Sequence, residues 1–126
     1  MIGLGRRVRV FAYGEAVDMR KSFDTLSAIV RECVKRDVLD GALYLFIGKD
    51  RRRAKVIFWD GTGLCVLAKR LEKGRFAAPW TLNKKKPVLE WTTSELALFL
   101  EGSEVVGRIT LSPPEWKPEE RRVAFT

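Results

Sequence analysis

The chain has 126 residues, 46% of them hydrophobic and 32% charged, and its 24 Lys and Arg against 16 Asp and Glu leave a net charge of +8. That length fits one domain whose core needs no staples, no apolar run approaches the ~18 residues of a membrane span, and Met1-Ile2-Gly3-Leu4-Gly5-Arg6-Arg7 lacks the apolar stretch of a secretory signal, so a cytoplasmic protein is expected. Histidine is absent, which removes the commonest general acid–base and metal ligand and excludes Ser-His-Asp and Cys-His nucleophilic arrangements.

Arg7 to Tyr13 alternates charged and apolar residues, meets Gly14, and reads as a half-buried strand. From Ser22 to about Lys35, Phe23, Leu26, Ile29, Val30, Cys33 and Val34 recur at helical spacing, with Asp24, Thr25, Ser27, Arg31, Glu32 and Lys35 opposite them. That spacing predicts an amphipathic helix capped by Asp18 or Ser22 and ended by the turn residues of Asp37 to Gly41. Three β-rich runs follow: Ala42 to Ile47, Ala54 to Trp59 and Leu64 to Arg70. A charged bend, Gly48 to Arg53, joins the first two, and Asp60-Gly61-Thr62-Gly63 joins the last two. An Asp-Gly pair at that point is a strong hairpin signal, because such turns need residues that tolerate positive φ. The three runs therefore form an antiparallel meander covered by the helix.

Leu71 to Trp80 reads as a bend followed by an extended exit, and Lys84-Lys85-Lys86-Pro87 as a basic loop. Val88 to Trp91 is a short strand. Thr92-Thr93-Ser94-Glu95 has the hydroxyl and glutamate of a helix start, and Gly102 is its stop. A further strand is expected over Val105–Leu111, before Pro113-Pro114 and Pro118. The fold class is thus α+β: an antiparallel, curled sheet packed against one amphipathic helix, with a short second helix near Ser94–Glu101. Residues 1–112 form the single domain and 113–126 a proline-containing, loosely ordered tail.

Charge is unevenly distributed. Residues 1–86 hold 20 basic and 9 acidic side chains, a net of +11, whereas residues 87–126 hold 4 and 7, a net of −3. A basic body with a mildly acidic tail points to nucleic acid. The densest cluster is Lys49, Arg51, Arg52, Arg53 and Lys55, at a hairpin tip where guanidinium forks can follow a phosphate backbone. Its alternative role is a charged turn that blocks edge aggregation. Arg20-Lys21 before the helix, Lys69-Arg70 at a strand end and Arg75 join the cluster only if the meander brings its strand ends beside the helix start. Trp59, Trp80, Trp91, Trp116, Phe46, Phe58 and Phe76 are candidates for stacking on bases, with core packing as the competing role. Asp18, Asp24, Asp60 and Glu72 would need to converge to hold a divalent metal, and no nuclease spacing, P-loop or dinucleotide fingerprint is present. Cys33 and Cys65 are too few and too far apart for a disulfide framework or zinc site and read as small core residues.

Several segments carry a family resemblance in order and spacing: Asp18-Met19-Arg20-Lys21-Ser22-Phe23-Asp24-Thr25-Leu26, Leu43-Tyr44-Leu45-Phe46, Trp59-Asp60-Gly61-Thr62-Gly63, Lys69-Arg70-Leu71-Glu72-Lys73-Gly74-Arg75-Phe76, and Leu96 to Gly102. From about Val8 to Gly102 the chain resembles the small accessory TnpB-type proteins encoded by bacterial insertion sequences of the sixty-six family. It departs from the family pattern at Ser22, where glycine is usual, and in the aromatic–proline order of Phe76 to Trp80. The resemblance implies a role in transposition beside a separate, larger transposase that holds the catalytic acidic residues.

Charge and resemblance together lead to one expectation: a non-catalytic accessory protein that binds DNA, at transposon ends, through Arg20, Lys21, Lys49, Arg51, Arg52, Arg53, Lys55, Lys69, Arg70 and Arg75. Its partners are DNA and the transposase of the same element. No cofactor, metal, membrane or small-molecule substrate is expected. The competing reading is a module that holds the transposase without touching DNA, anchored by exposed aromatics such as Trp80. A metal-dependent nuclease is the third.

Overall fold

A computed structural model of the chain describes residues 8–78 and 87–102. Strand β1 spans Val10–Ala16 and leads into helix α1, Phe23–Ile29, which continues directly into a π-helical stretch, Val30–Val34. A 3-10 turn, Val38–Asp40, returns the chain to strand β2, Leu43–Ile47. Strands β3, Arg53–Trp59, and β4, Leu64–Arg70, complete the meander. After the segment through Ala78 come strand β5, Val88–Trp91, and helix α2, Thr93–Leu100.

The five strands form one sheet in the order β4-β3-β2-β1-β5. Pairings β2–β3 and β3–β4 are antiparallel, as the hairpin signals predict, and β5 is antiparallel to β1. The pair β1–β2 is parallel, which corrects the expectation of an all-antiparallel sheet. The reason is the crossover: α1 lies between two neighbouring strands and carries the chain back to its starting end, so both strands run the same way. The sheet is mixed and open rather than curled, with β4 and β5 at its edges.

Both faces are covered. On one, Leu26 of α1 and Val30 of the π-helical stretch meet Phe11, Tyr44, Phe46 and Ile57. On the other, Leu96, Leu98 and Phe99 of α2 meet Val10, Leu45, Ile47, Val56 and Phe76. Strand β2 alternates between the two clusters, Tyr44 and Phe46 to one and Leu45 and Ile47 to the other, which is why its sequence is apolar throughout. Each such side chain, fully buried, contributes about 1.5–3 kcal/mol.

Local chemistry explains the element ends. Thr92 Oγ1 accepts from Glu95 N at 3.1 Å while Glu95 Oε1 accepts from Thr92 N at 2.8 Å, a reciprocal cap on α2. Gly102, at φ +74°, stops that helix as expected. Cys33 is exposed, against the expectation of a core residue. Cys33 lies in the π-helical stretch, whose wider winding departs from the 3.6-residue period on which that expectation rests. Cys65 is half-buried and its thiol donates to Asp60 Oδ2 at 3.5 Å. No helix among the described residues is long and apolar enough to cross a membrane. The expected strand over Val105–Leu111, the tail from 113 and the Lys84–Lys86 loop lie outside the described residues.

Candidate functional site

The mixed topology collects charge at one end of the sheet. Strands β1 and β2 run in parallel and finish there, with Ala16 opposite Ile47; β3 starts there and β4 finishes there, with Arg53 opposite Arg70. The segments 15–22, 47–55 and 69–76 therefore share that end, and they contain all ten candidate cations. Together they hold eleven basic and four acidic side chains, a net of +7 out of the chain's +8. The conditional expectation that the strand ends meet the helix start holds: Lys55 Nζ donates to the Lys21 carbonyl at 2.7 Å.

The segment Asp18-Met19-Arg20-Lys21 is folded around its own aspartate. Asp18 accepts from the Arg20 backbone N–H at 2.9 Å and from Arg20 Nη2 at 2.7 Å. The Arg20 guanidinium holds the Asp18 carboxyl well below the usual carboxylate range. Met19 is buried against Gly48, where an added Cβ would lie 2.7 Å from Met19 Cγ.

The bend between β2 and β3 is closed by Arg51 N donating to the Gly48 carbonyl and Gly48 N to the Arg53 carbonyl, both at 2.9 Å. Asp50 accepts from Arg52 N at 3.0 Å and from Arg53 Nη2 at 3.3 Å, so its pKa is lowered by the Arg52 backbone bond first and by Arg53 after it. The segment after β4 then wraps this bend. Leu71 N donates to the Arg52 carbonyl at 2.8 Å, Phe76 N to the Arg51 carbonyl at 2.6 Å, and Arg51 Nε returns to the Phe76 carbonyl at 2.9 Å. Phe76 is fully buried and stacks on Phe99 at 4.7 Å.

These bonds sort the ten candidates. Arg51 is a latch between two loops, and Lys55 ties β3 to the approach to α1 by donating to the backbone carbonyl of Lys21, whose own side chain is half-buried. Arg20 and Arg53 are each held by a carboxylate. Both line an open groove of about 590 Å³ with Lys49, Asp18 and Asp50, so the charged lining nets only +1. Lys49, Arg52, Lys69, Arg70 and Arg75 are exposed, and among the described residues no carboxylate pairs with them. Lys73 shares that state; it sits between Glu72 and Gly74, a position that sequence reading passed over as part of a bend.

At the opposite end most cations are occupied. Arg9 Nε and Nη2 reach the two carboxylate oxygens of Glu90 at 2.8 and 2.9 Å. Arg36 pairs with Asp40 at 2.9 Å and lies 4.5 Å from the Phe11 ring centroid. Burial, then the Asp40 carboxylate, raises the pKa of the Tyr44 phenol, which donates to Asp40 Oδ2 at 2.6 Å.

The aromatics divide differently. Phe46, Phe76 and Trp91 are core, and Phe58 and Trp59 are half-buried. Trp80 and Trp116 lie outside the described residues. Asp18, Asp24, Asp60 and Glu72 do not converge: Asp60 sits in the β3–β4 turn at the far end from Asp18, accepting from Thr62 N at 2.9 Å and Gly63 N at 2.8 Å. Among the described residues, no group of three or more acidic or cysteine side chains has the spacing to hold a metal ion.

A family model described as IS66 Orf2 like protein matches residues 8–108, most of the chain. The chain belongs to the IS66 Orf2-like family. It is 42% identical over 79 residues to the "Uncharacterized protein y4hO" of Sinorhizobium fredii (strain NBRC 101917 / NGR234), covering 63% of this chain and 69% of that protein. It is 31% identical over 102 residues to "Uncharacterized protein y4jC" of the same strain, covering 81% and 85%. No solved structure matches. Family membership makes this a transposon accessory protein of the IS66 type. In this IS66 Orf2-like chain two of the segments that carry the resemblance, Asp18 to Leu26 and Lys69 to Phe76, help to fasten the fold. Asp18 and Met19 fold the exit from β1, and Leu71 and Phe76 clip the loop after β4 onto Arg52 and Arg51.

Proposed function

We propose that the basic end of the sheet binds DNA through its phosphates, with little sequence preference, and that the bound protein helps position a separate transposase on the transposon ends. The observation that carries this reading is the contrast between the two ends of one sheet. At one end Arg9 and Arg36 are paired with carboxylates; at the other Arg20 and Arg53 are paired too, but Lys49, Arg52, Lys69, Arg70 and Arg75 stand exposed around a loop cluster tied together by hydrogen bonds. Arg53 and Arg70 oppose one another across β3 and β4, which sets two like charges side by side at this end, with the Asp50 carboxylate bonded to Arg53 as a partial offset. The protein's own part is non-catalytic and cytoplasmic: it supplies cations, and the chemistry belongs to the transposase.

If those five side chains neutralise phosphates, log K falls with log salt at a slope of roughly −4.5. Fluorescence anisotropy with labelled duplex across a salt series tests this. The wild type is compared with a variant carrying alanine at Lys49, Arg52, Lys69, Arg70 and Arg75, and with Arg31→Ala as a control at an exposed position of the π-helical stretch that follows α1. The expected result is salt-sensitive binding that the fivefold variant loses and the control keeps. Absence of binding at low salt would remove DNA as a direct ligand. The transposase-binding module would then lead, and the mixed charge of the Arg20–Asp18–Arg53–Asp50 groove suits a protein surface.

A further inference from the structure

The sheet has two edges, and they are built differently. Strand β5 is four residues long and carries Glu90. Strand β4 is seven residues long, and its register with β3 runs without interruption from Arg53 opposite Arg70 to Trp59 opposite Leu64. Edge strands are normally blunted by charges, proline, bulges or shortness, because an open edge invites another strand. Over Leu64-Cys65-Val66-Leu67-Ala68, strand β4 has none of these devices. Leu67 at its centre is 50% exposed. Among the described residues, nothing pairs with its outer side.

We propose that this edge is the site at which a second copy of the chain adds to the sheet, β4 against β4, antiparallel about a two-fold axis at Leu67. Charge and side-chain type select that arrangement. About such an axis Leu67 meets Leu67 of the other copy, Val66 meets Ala68, Cys65 meets Lys69 and Leu64 meets Arg70. The apolar centre is self-complementary on both faces, and each cation lies beside an uncharged residue. A parallel arrangement in register would set Lys69 and Arg70 against their own copies, which like-charge repulsion opposes. Two-fold pairing of one patch with itself is also the commonest closed assembly. The result is a continuous ten-strand sheet whose two basic ends point in opposite directions. On the DNA-binding reading above, such a dimer holds two duplex segments at once; the dimer itself does not depend on that reading.

Sedimentation equilibrium and light scattering of the full chain over a concentration series, in low and in high salt, provide the test. The expected mass is twice the 14.4 kDa of one chain, retained in high salt because backbone pairing and apolar contact are weakly screened. Leu67→Lys, at a half-exposed position that leaves the fold intact by circular dichroism, is expected to give a monomer. Leu67→Cys, with Cys33 and Cys65 changed to serine, is expected to cross-link to a disulfide dimer on mild oxidation, while Thr62→Cys in the same background is not. A monomer at all concentrations, a dimer indifferent to Leu67→Lys, or cross-linking equal at 62 and 67 would each overturn the proposal. A Leu67→Lys monomer that still binds duplex DNA separates this interface from the basic end. A dimer that binds no DNA leaves the interface standing and removes the DNA reading.

Discussion

Gly48 carries a constraint that its sequence context, a charged bend, does not advertise. A Cβ there would lie 2.7 Å from Met19 Cγ and 3.3 Å from Asp50 Oδ1, within the buried contact that joins the exit of β1 to the bend after β2. Gly48→Ala is therefore expected to destabilise by about 1–3 kcal/mol through overpacking, read as a lower urea midpoint; an unchanged midpoint would show that Met19 yields freely. Asp60 makes a second residue-scale prediction. Its carboxylate accepts from Thr62 N, Gly63 N and the Thr62 hydroxyl, which lowers its pKa from the ordinary 3.8 to about 2. A depressed carboxylate stabilises the fold above its ordinary value, and that contribution disappears as pH falls through the folded value. Asp60→Ala is thus expected to melt below wild type at pH 7, with the gap closing between about pH 4 and about pH 2. A gap constant across that range would separate the turn's stability from the charge.

At the scale of elements, the loop after β4 is held by the bend after β2. Arg51 sits at φ +61° and makes three of the bonds that matter: its N–H to Gly48, its carbonyl to Phe76 N, and its Nε to the Phe76 carbonyl. Arg51→Ala removes the last of these and is expected to cost about 1–2 kcal/mol. Arg52→Ala, one residue on and exposed, should change stability by less than about 0.5 kcal/mol. Parallel urea titrations of the two variants check this, and equal losses would deny Arg51 its fastening role. From sequence the two arginines are indistinguishable members of one basic run. The elements themselves are far more legible: the Ser22–Lys35 periodicity corresponds to a helix over Phe23–Val34, and β3, β4 and β5 lie within a residue of their expected bounds. Periodicity and turn chemistry are local properties, which is why they read directly.

At the scale of the molecule, the sheet behaves as a charge dipole. Its loaded end nets +7 while the Arg9–Glu90 and Arg36–Asp40 end is largely self-neutralised. Such a field orients a polyanion before contact and weakens steeply with salt. The expected steep salt slope, and its loss in the five-alanine variant but not in Arg31→Ala, belong to this scale because no single side chain produces them. Self-association through β4 belongs here too, and its expected persistence in high salt separates the apolar edge from the charged end in one salt series.

By itself the sequence determined the α+β class, the meander, both helices, the preponderance of positive charge and the family segments, since each rests on neighbours along the chain. Only the tertiary structure decided the rest. The crossover through α1 made β1 and β2 parallel, and that parallel pair sends the ends of β1, β2 and β4 to one place. Hydrogen bonds between residues far apart in sequence, Arg51 with Phe76 and Lys55 with Lys21, then separated cations that fasten the fold from cations left facing solvent. Which guanidinium finds a carbonyl or carboxylate depends on what the fold brings beside it, and that information is not local.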